Sequence, residues 1–261
     1  MEPFSGDCLE GKRILITGGL GAIGRVVVST LLRHSARVAV NDILNAREAA
    51  EIFEQSGWTG ERCLYLKADV TLPGPAENIV GGTVEAFGGI DIALCHAGIV
   101  YSGPLLECKP GDWDRILDIN LKGAFLVAQA AARAMVEAGT KGKIVFTSSW
   151  VQDVPWPGIT PYTVTKSALK MLMRGMAREF ASRGIRVNAI APGIVAAGMA
   201  QRQWETEPDY RRRAERAIPL GCLQPPESVA DALLFLCSEA ADYMTGATLL
   251  VDGGCSLYPM D

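Results

Sequence analysis

The chain has 261 residues, is 49% hydrophobic and 21% charged, and carries a net charge of −4. That balance supports a sizeable core and excludes a disordered chain, and the acidic sign argues against a nucleic-acid binder. Seven scattered cysteines without a C-x-x-C pair, and two histidines, His34 and His96, form no readable metal cluster, so free thiols in a reducing compartment are expected. The N-terminus carries Glu2, Asp7 and Glu10 and lacks the apolar stretch of a signal peptide. No apolar run is long enough to cross a membrane, so a soluble cytoplasmic protein is expected.

Residues 13–17 (RILIT) form a short β-branched run, read as a buried strand. A glycine-rich turn from Gly18 to Gly24 follows at once, then an apolar helix over 26–32. Strand, glycine turn and helix make the setting for a dinucleotide pyrophosphate, held by close backbone approach and the free N–H groups of the helix start. Residues 37–40 are the second strand, and Asp42 stands just past its end. An acidic side chain there accepts hydrogen bonds from ribose hydroxyls and repels a 2′-phosphate, which favours NAD over NADP. Residues 63–67 are the third strand, leading to Asp69 and Val70 at the expected adenine edge. A helix over about 73–87 and a fourth strand over 90–95 come next, closing at His96-Ala97-Gly98.

Residues 113–135 read as one long helix with Asn120 inside it, an unfavourable place for asparagine unless it has a task. The fifth strand, 143–147, ends in Ser148-Ser149; a proline-stiffened loop holding Trp150 and Trp156 then leads to a helix over 162–180. In that helix Tyr162 and Lys166 are four apart, on one face, where an ammonium lowers a phenol's pKa and makes an acid–base pair. The sixth strand, 185–190, closes at Ala191-Pro192-Gly193. The segment 195–218 is arginine-rich and reads either as a lid over the site or as a solvated helix face. A helix over 226–237 and a strand over 248–251 complete the chain. Alternating strands and helices imply an α/β protein: a single domain over 1–261 with a Rossmann-type, doubly wound parallel sheet and helices on both faces.

The motifs together resemble the short-chain dehydrogenase/reductase family over roughly residues 9–258. They are Thr17-Gly18-x-x-x-Ala22-x-Gly24, Cys95-His96-Ala97-Gly98, Asn120, Ser149, Tyr162-x-x-x-Lys166, Pro192-Gly193 and Val251-Asp252-Gly253-Gly254. The resemblance implies a catalytic tetrad of Asn120, Ser149, Tyr162 and Lys166: Tyr162 as general base, Ser149 positioning the substrate oxygen, Lys166 tuning the phenol and holding a ribose, and Asn120 holding a relay water. It implies that NAD lies against Thr17, Gly18, Leu20, Gly21, Ala22, Ile23, Asp42, Asp69, Val70, His96, Ala97, Gly98, Tyr162, Lys166, Pro192, Gly193 and Val195. It also implies a homotetramer built through the helices that hold Asn120 and Tyr162. Three positions depart from the family pattern: Ala22 stands for a glycine, Cys95-His96 for a pair of asparagines, and Ala197 for a threonine that touches the nicotinamide carboxamide.

Val154-Pro155-Trp156-Pro157 and Leu257-Tyr258-Pro259 are similar to the glucose 1-dehydrogenase branch, which implies oxidation of an aldose to a lactone. On that reading Gln152, Trp156 and Arg202 join Ser149 and Tyr162 around the sugar, with Trp150 and Asp153 near enough in sequence to line the pocket. Other alcohol or ketone chemistry, such as a carbonyl or 3-oxoacyl-type reductase, and a non-catalytic dinucleotide-binding protein are the alternatives.

Overall fold

The computed structural model describes Phe4, residues 6–58 and residues 60–257; Tyr258 and Pro259 of the tail motif lie outside the described residues. In chain order the elements begin with β1 Arg13–Thr17, α1 Ala22–Arg33, β2 Arg37–Asp42, α2 Ala46–Ser56, β3 Cys63–Lys67, α3 Pro73–Phe87 and β4 Ile92–Cys95. Then come α4 Pro110–Leu117, α5 Ala124–Ala138, β5 Lys143–Thr147, α6 Thr160–Phe180 and β6 Arg186–Pro192. α7 Gly198–Thr206, α8 Pro208–Ala217, α9 Pro226–Cys237 and β7 Thr248–Val251 close the fold.

The strands form one parallel seven-stranded sheet in the order β3-β2-β1-β4-β5-β6-β7. Strand order reverses between β1 and β4, so a crevice opens at the carboxyl ends there, where α/β sheets bind ligands. Parallel strands need helices on both faces, and the side chains alternate accordingly. Ile14, Ile16, Val38 and Val40 enter a core against α1 and α9. Leu15, Ala39, Ala93 and Ile144 enter a second core against α3, α5 and α6. The doubly wound fold expected from the sequence is the one observed.

Three local features differ from the sequence reading. α2 falls where the sequence reading above places no element; its apolar stripe of Ala49, Ile52 and Phe53 packs on the first core, and a capping box between Asn45 and Glu48 starts it. The long helix over 113–135 is broken by a wide π-turn, Asp118–Gly123, between α4 and α5. The segment 195–218 folds into α7 and α8 rather than one polar stretch. All seven cysteines are free; Cys63, Cys95, Cys237 and Cys255 are buried, and Cys222 is exposed. Among the described residues, no helix is long and apolar enough to cross a membrane.

Candidate active site

The crevice is a cavity of about 950 Å³ reaching from α1 and β2 to the start of α7. At one end the chain turns sharply out of β1. Gly18 adopts φ +67°, and a side chain on it would meet Ala97 Cα at 2.8 Å. Gly24 packs the start of α1 onto this turn; a Cβ there would sit 2.4 Å from the Gly18 carbonyl oxygen. Gly21 caps α1 without any side-chain hydrogen bond. The first N–H groups of a 12-residue helix are therefore left for a ligand, at the positive end of its dipole. Ala22 is exposed at that start, so its methyl does not crowd the glycine contacts.

Asp42 closes β2 at the rim. Its carboxylate accepts hydrogen bonds from the Leu20 N–H at 3.2 Å and the Ile43 N–H at 2.8 Å. Behind the wall, Thr17 Oγ1 accepts from the His96 and Ala97 N–H groups, both at 3.1 Å, and so fixes the end of β4 against β1. An anion-ready helix start, a floor without side chains and a carboxylate at the far rim suit the pyrophosphate and adenosine ribose of a dinucleotide. The residues present fit a nicotinamide dinucleotide. Of the positions expected to hold it, all but Thr17 and Leu20 line the cavity.

His96 stands where the family has asparagine. Its Nδ1 lies 3.0 Å from Thr147 Oγ1. Burial, helped by the charge of Lys166, pulls its pKa down to about 4, so the ring is neutral at neutral pH. Ala197 also lines the cavity and precedes α7, giving that helix no side-chain cap.

At the other end, β5 delivers Thr147, Ser148 and Ser149 to the cavity wall, and α6 delivers Tyr162 and Lys166. Lys166 is 3% exposed and donates to the Thr147 carbonyl at 2.8 Å. Desolvation pulls it down to about 8. Its ammonium lies 5.3 Å from the centroid of the Tyr162 ring. Tyr162 is half-buried at the cavity wall; desolvation pushes its phenol up to about 12, opposed by a hydrogen bond with Ser149. The spacing of Tyr162 and Lys166 predicted a lowered phenol pKa; desolvation raises it instead, and the opposing cause is Ser149.

Asn120 is fully buried in the π-turn, behind the cavity wall. It clamps the backbone of Ile99 in both directions: its Oδ1 accepts from the Ile99 N–H and its Nδ2 donates to the Ile99 carbonyl, each at 2.8 Å. Nδ2 also donates to Thr165 Oγ1 at 3.2 Å. The wider turn is a frequent device at functional sites. Here it aims a helix-interior amide at the β4 loop, and both ends of that amide are engaged.

The residues expected around the substrate are not brought together. Ser149 and Tyr162 line the cavity, whereas Gln152, Trp156 and Arg202 lie outside its lining. Gln152 turns back to donate to Asp153 at 3.0 Å, and Arg202 is exposed. Trp156 is buried in a cluster with Trp150 and Ile218. Sequence reasoning passed over Asp114, Arg115, Asp118 and Ile119 of α4 and the π-turn, and Met199 and Ala200 of α7, all of which line the cavity. The four-residue spacing of Arg115 and Ile119 was the available signal for one helix face.

A family model described as enoyl-(acyl carrier protein) reductase matches residues 19–256. The chain is 35% identical over 260 residues to glucose 1-dehydrogenase 2 of Bacillus subtilis, covering 96% of this chain and 97% of that protein. It is 34% identical over 256 residues to 3beta-hydroxysteroid dehydrogenase 1 of Eggerthella lenta, covering 97% of each. Among solved structures, a short-chain type dehydrogenase/reductase from Mycobacterium marinum superimposes with a TM-score of 0.88 at 35% identity, covering 96% of this chain and 97% of that one.

Proposed function

The chain belongs to the short-chain dehydrogenase/reductase family, an oxidoreductase family, and on that premise we propose that it oxidises the anomeric hydroxyl of an aldose to a lactone with NAD. The carrying observation is the size of the cavity that Ser149 and Tyr162 share with the dinucleotide site. Its volume of about 950 Å³ is near the top of the range of ordinary ligand pockets. That volume holds a dinucleotide together with a small substrate. Similarity to glucose 1-dehydrogenase 2 supports the same substrate class.

In the proposed reaction Ser149 Oγ holds the substrate oxygen, and Tyr162 Oη takes its proton. Burial favours the neutral phenol, so the base role needs positive charge beside the ring; Lys166 supplies one at 5.3 Å. Bound NAD would supply the carbon that accepts the hydride. Gly18, Gly21 and the start of α1 would hold its pyrophosphate, and Asp42 its adenosine ribose. Asn120 would keep Ile99 and the β4 loop in place; with its side-chain amide engaged, the water-holding role would fall to its backbone. Residues 195–218 would act as a lid, since Ala197, Gly198, Met199 and Ala200 line the cavity. Exposed Phe125 on α5 and Val164 and Met171 on α6 support a homotetramer built through those helices.

One observation favours a second reading. The cavity lining ahead of and within α7 is apolar, with Val195, Ala197, Met199 and Ala200, which suits an apolar cyclic alcohol better than a hydroxyl-rich sugar. NADH formation at 340 nm separates the two, with D-glucose, D-galactose and cyclohexanol each offered with NAD and with NADP. Turnover of an aldose with NAD is expected. Turnover of cyclohexanol alone would replace the sugar reading, and no turnover despite NAD binding would remove both.

A further inference from the structure

Trp156 does not meet the cavity, but its position joins two parts of the molecule that do. Pro155 and Pro157 flank it and stiffen the loop that presents it. Its ring meets Trp150 edge to face, with centroids 5.4 Å apart, and Trp150 directly follows Ser149. Arg213 of α8 places its guanidinium 5.8 Å from the centroid of Trp156. Ala214, Ala217 and Ile218 at the end of α8 pack into the same cluster, as do Ala200 and Trp204 of α7, and Tyr162 packs against it.

Among the described arginines of this segment, Arg202, Arg213 and Arg216 have no carboxylate partner, and of these Arg213 is the one that meets Trp156. Arg211 pairs with Glu215 and lies over Trp204, within the helix pair. Arg212 pairs with Asp209. The face that Arg213 covers belongs to the Ser149 loop.

We propose that Arg213 and Trp156 form a latch: a cation–π contact that ties α7–α8 to the loop carrying Ser149, so that the wall of the cavity and the serine are positioned together. Trp156 and Arg213 are positioning residues, acting through Trp150 on Ser149 and through α8 on Met199 and Ala200. Opening the contact frees both sides. The latch goes beyond the aldose reading and is tested without any substrate.

The experiment is peptide-resolved amide hydrogen exchange on the full chain without ligand. For Arg213→Ala, peptides within 198–217 and within 150–157 are expected to exchange about two- to fivefold faster, the size of an exposed cation–π contact. Arg213→Lys, which keeps a cation over the ring, restores most of the protection. Arg212→Ala, which breaks only a pair inside α8, leaves 150–157 unchanged. The latch is overturned if Arg213→Ala leaves 150–157 unchanged, or if Arg212→Ala loosens it equally.

Discussion

Replacing Asp42 by asparagine removes one negative charge from the rim of the dinucleotide site and keeps a side chain of the same shape. The carboxylate stands at the end of β2, hydrogen-bonded to the Leu20 and Ile43 N–H groups, so its position is fixed. A 2′-phosphate on the adenosine ribose would approach it within about 4 Å and carry a charge of about −1.5 to −2. At that distance two unit charges cost about 1 kcal/mol in water and about 4 kcal/mol near a protein surface. The repulsion is therefore at least about 2 kcal/mol, a factor of about 30 in affinity. Lys67, the register partner of Asp42 on β3, remains to attract the phosphate once the carboxylate is gone. Titration of NAD and NADP by quenching of protein fluorescence reads the effect directly. The ratio of NADP to NAD affinity is expected to rise by about 30-fold or more in Asp42→Asn, with NAD weakened several-fold. An unchanged ratio would refute the assignment of Asp42 to the ribose.

Two further substitutions test the wall of the site. His96 is held at about 4, below its ordinary 6.5, so the unfolded chain binds more protons between those values. Stability therefore falls as pH drops from 6.5 to 4, by at most about 3 kcal/mol. In urea unfolding at pH 7 and pH 4, His96→Asn should lose less stability than wild type by that margin; an equal acid loss would count against a His96 ring held neutral. Asn120→Ala strips both hydrogen bonds from the half-buried Ile99 backbone, groups that cost about 1–3 kcal/mol each when buried and unpaired, and one from Thr165, which keeps its bond to the Tyr162 carbonyl. A stability loss of about 2–5 kcal/mol is expected from the denaturant midpoint, and a loss below about 0.5 kcal/mol would contradict the clamp.

The sheet was legible in the sequence because each strand is a short β-branched or apolar run set off by turns, and parallel strands buried on both faces need no finer signal. The glycine turn, Asp42 and the Tyr162–Lys166 pair were legible for a related reason: local spacing fixes what they share. α2 was passed over although both of its signals were present: the stripe of Ala49, Ile52 and Phe53 at helical spacing and the cap spelled by Asn45 and Glu48. The π-turn at Asn120 was hidden because one extra residue per turn leaves no mark on an apolar periodicity. Trp156 shows the limit for substrate contacts. Seven residues from Ser149 in sequence, it turns away from the cavity, because the apolar cluster beneath α8 offers its ring more burial than the cavity wall does. The same limit holds for the phenol of Tyr162, where helical spacing reports the nearby charge but not the depth of burial.

The account rests on Tyr162 as the proton-transferring group in a dinucleotide site. Tyr162→Phe removes one hydroxyl from the cavity wall and leaves the α1 turn, Asp42 and Lys166 in place. With wild type and variant side by side, NAD affinity is measured by fluorescence titration and kcat by NADH formation on the aldose that the wild type oxidises. The account predicts NAD affinity within about threefold of wild type and kcat lower by about 10²- to 10⁴-fold. A kcat within tenfold of wild type, with NAD still bound, would contradict it.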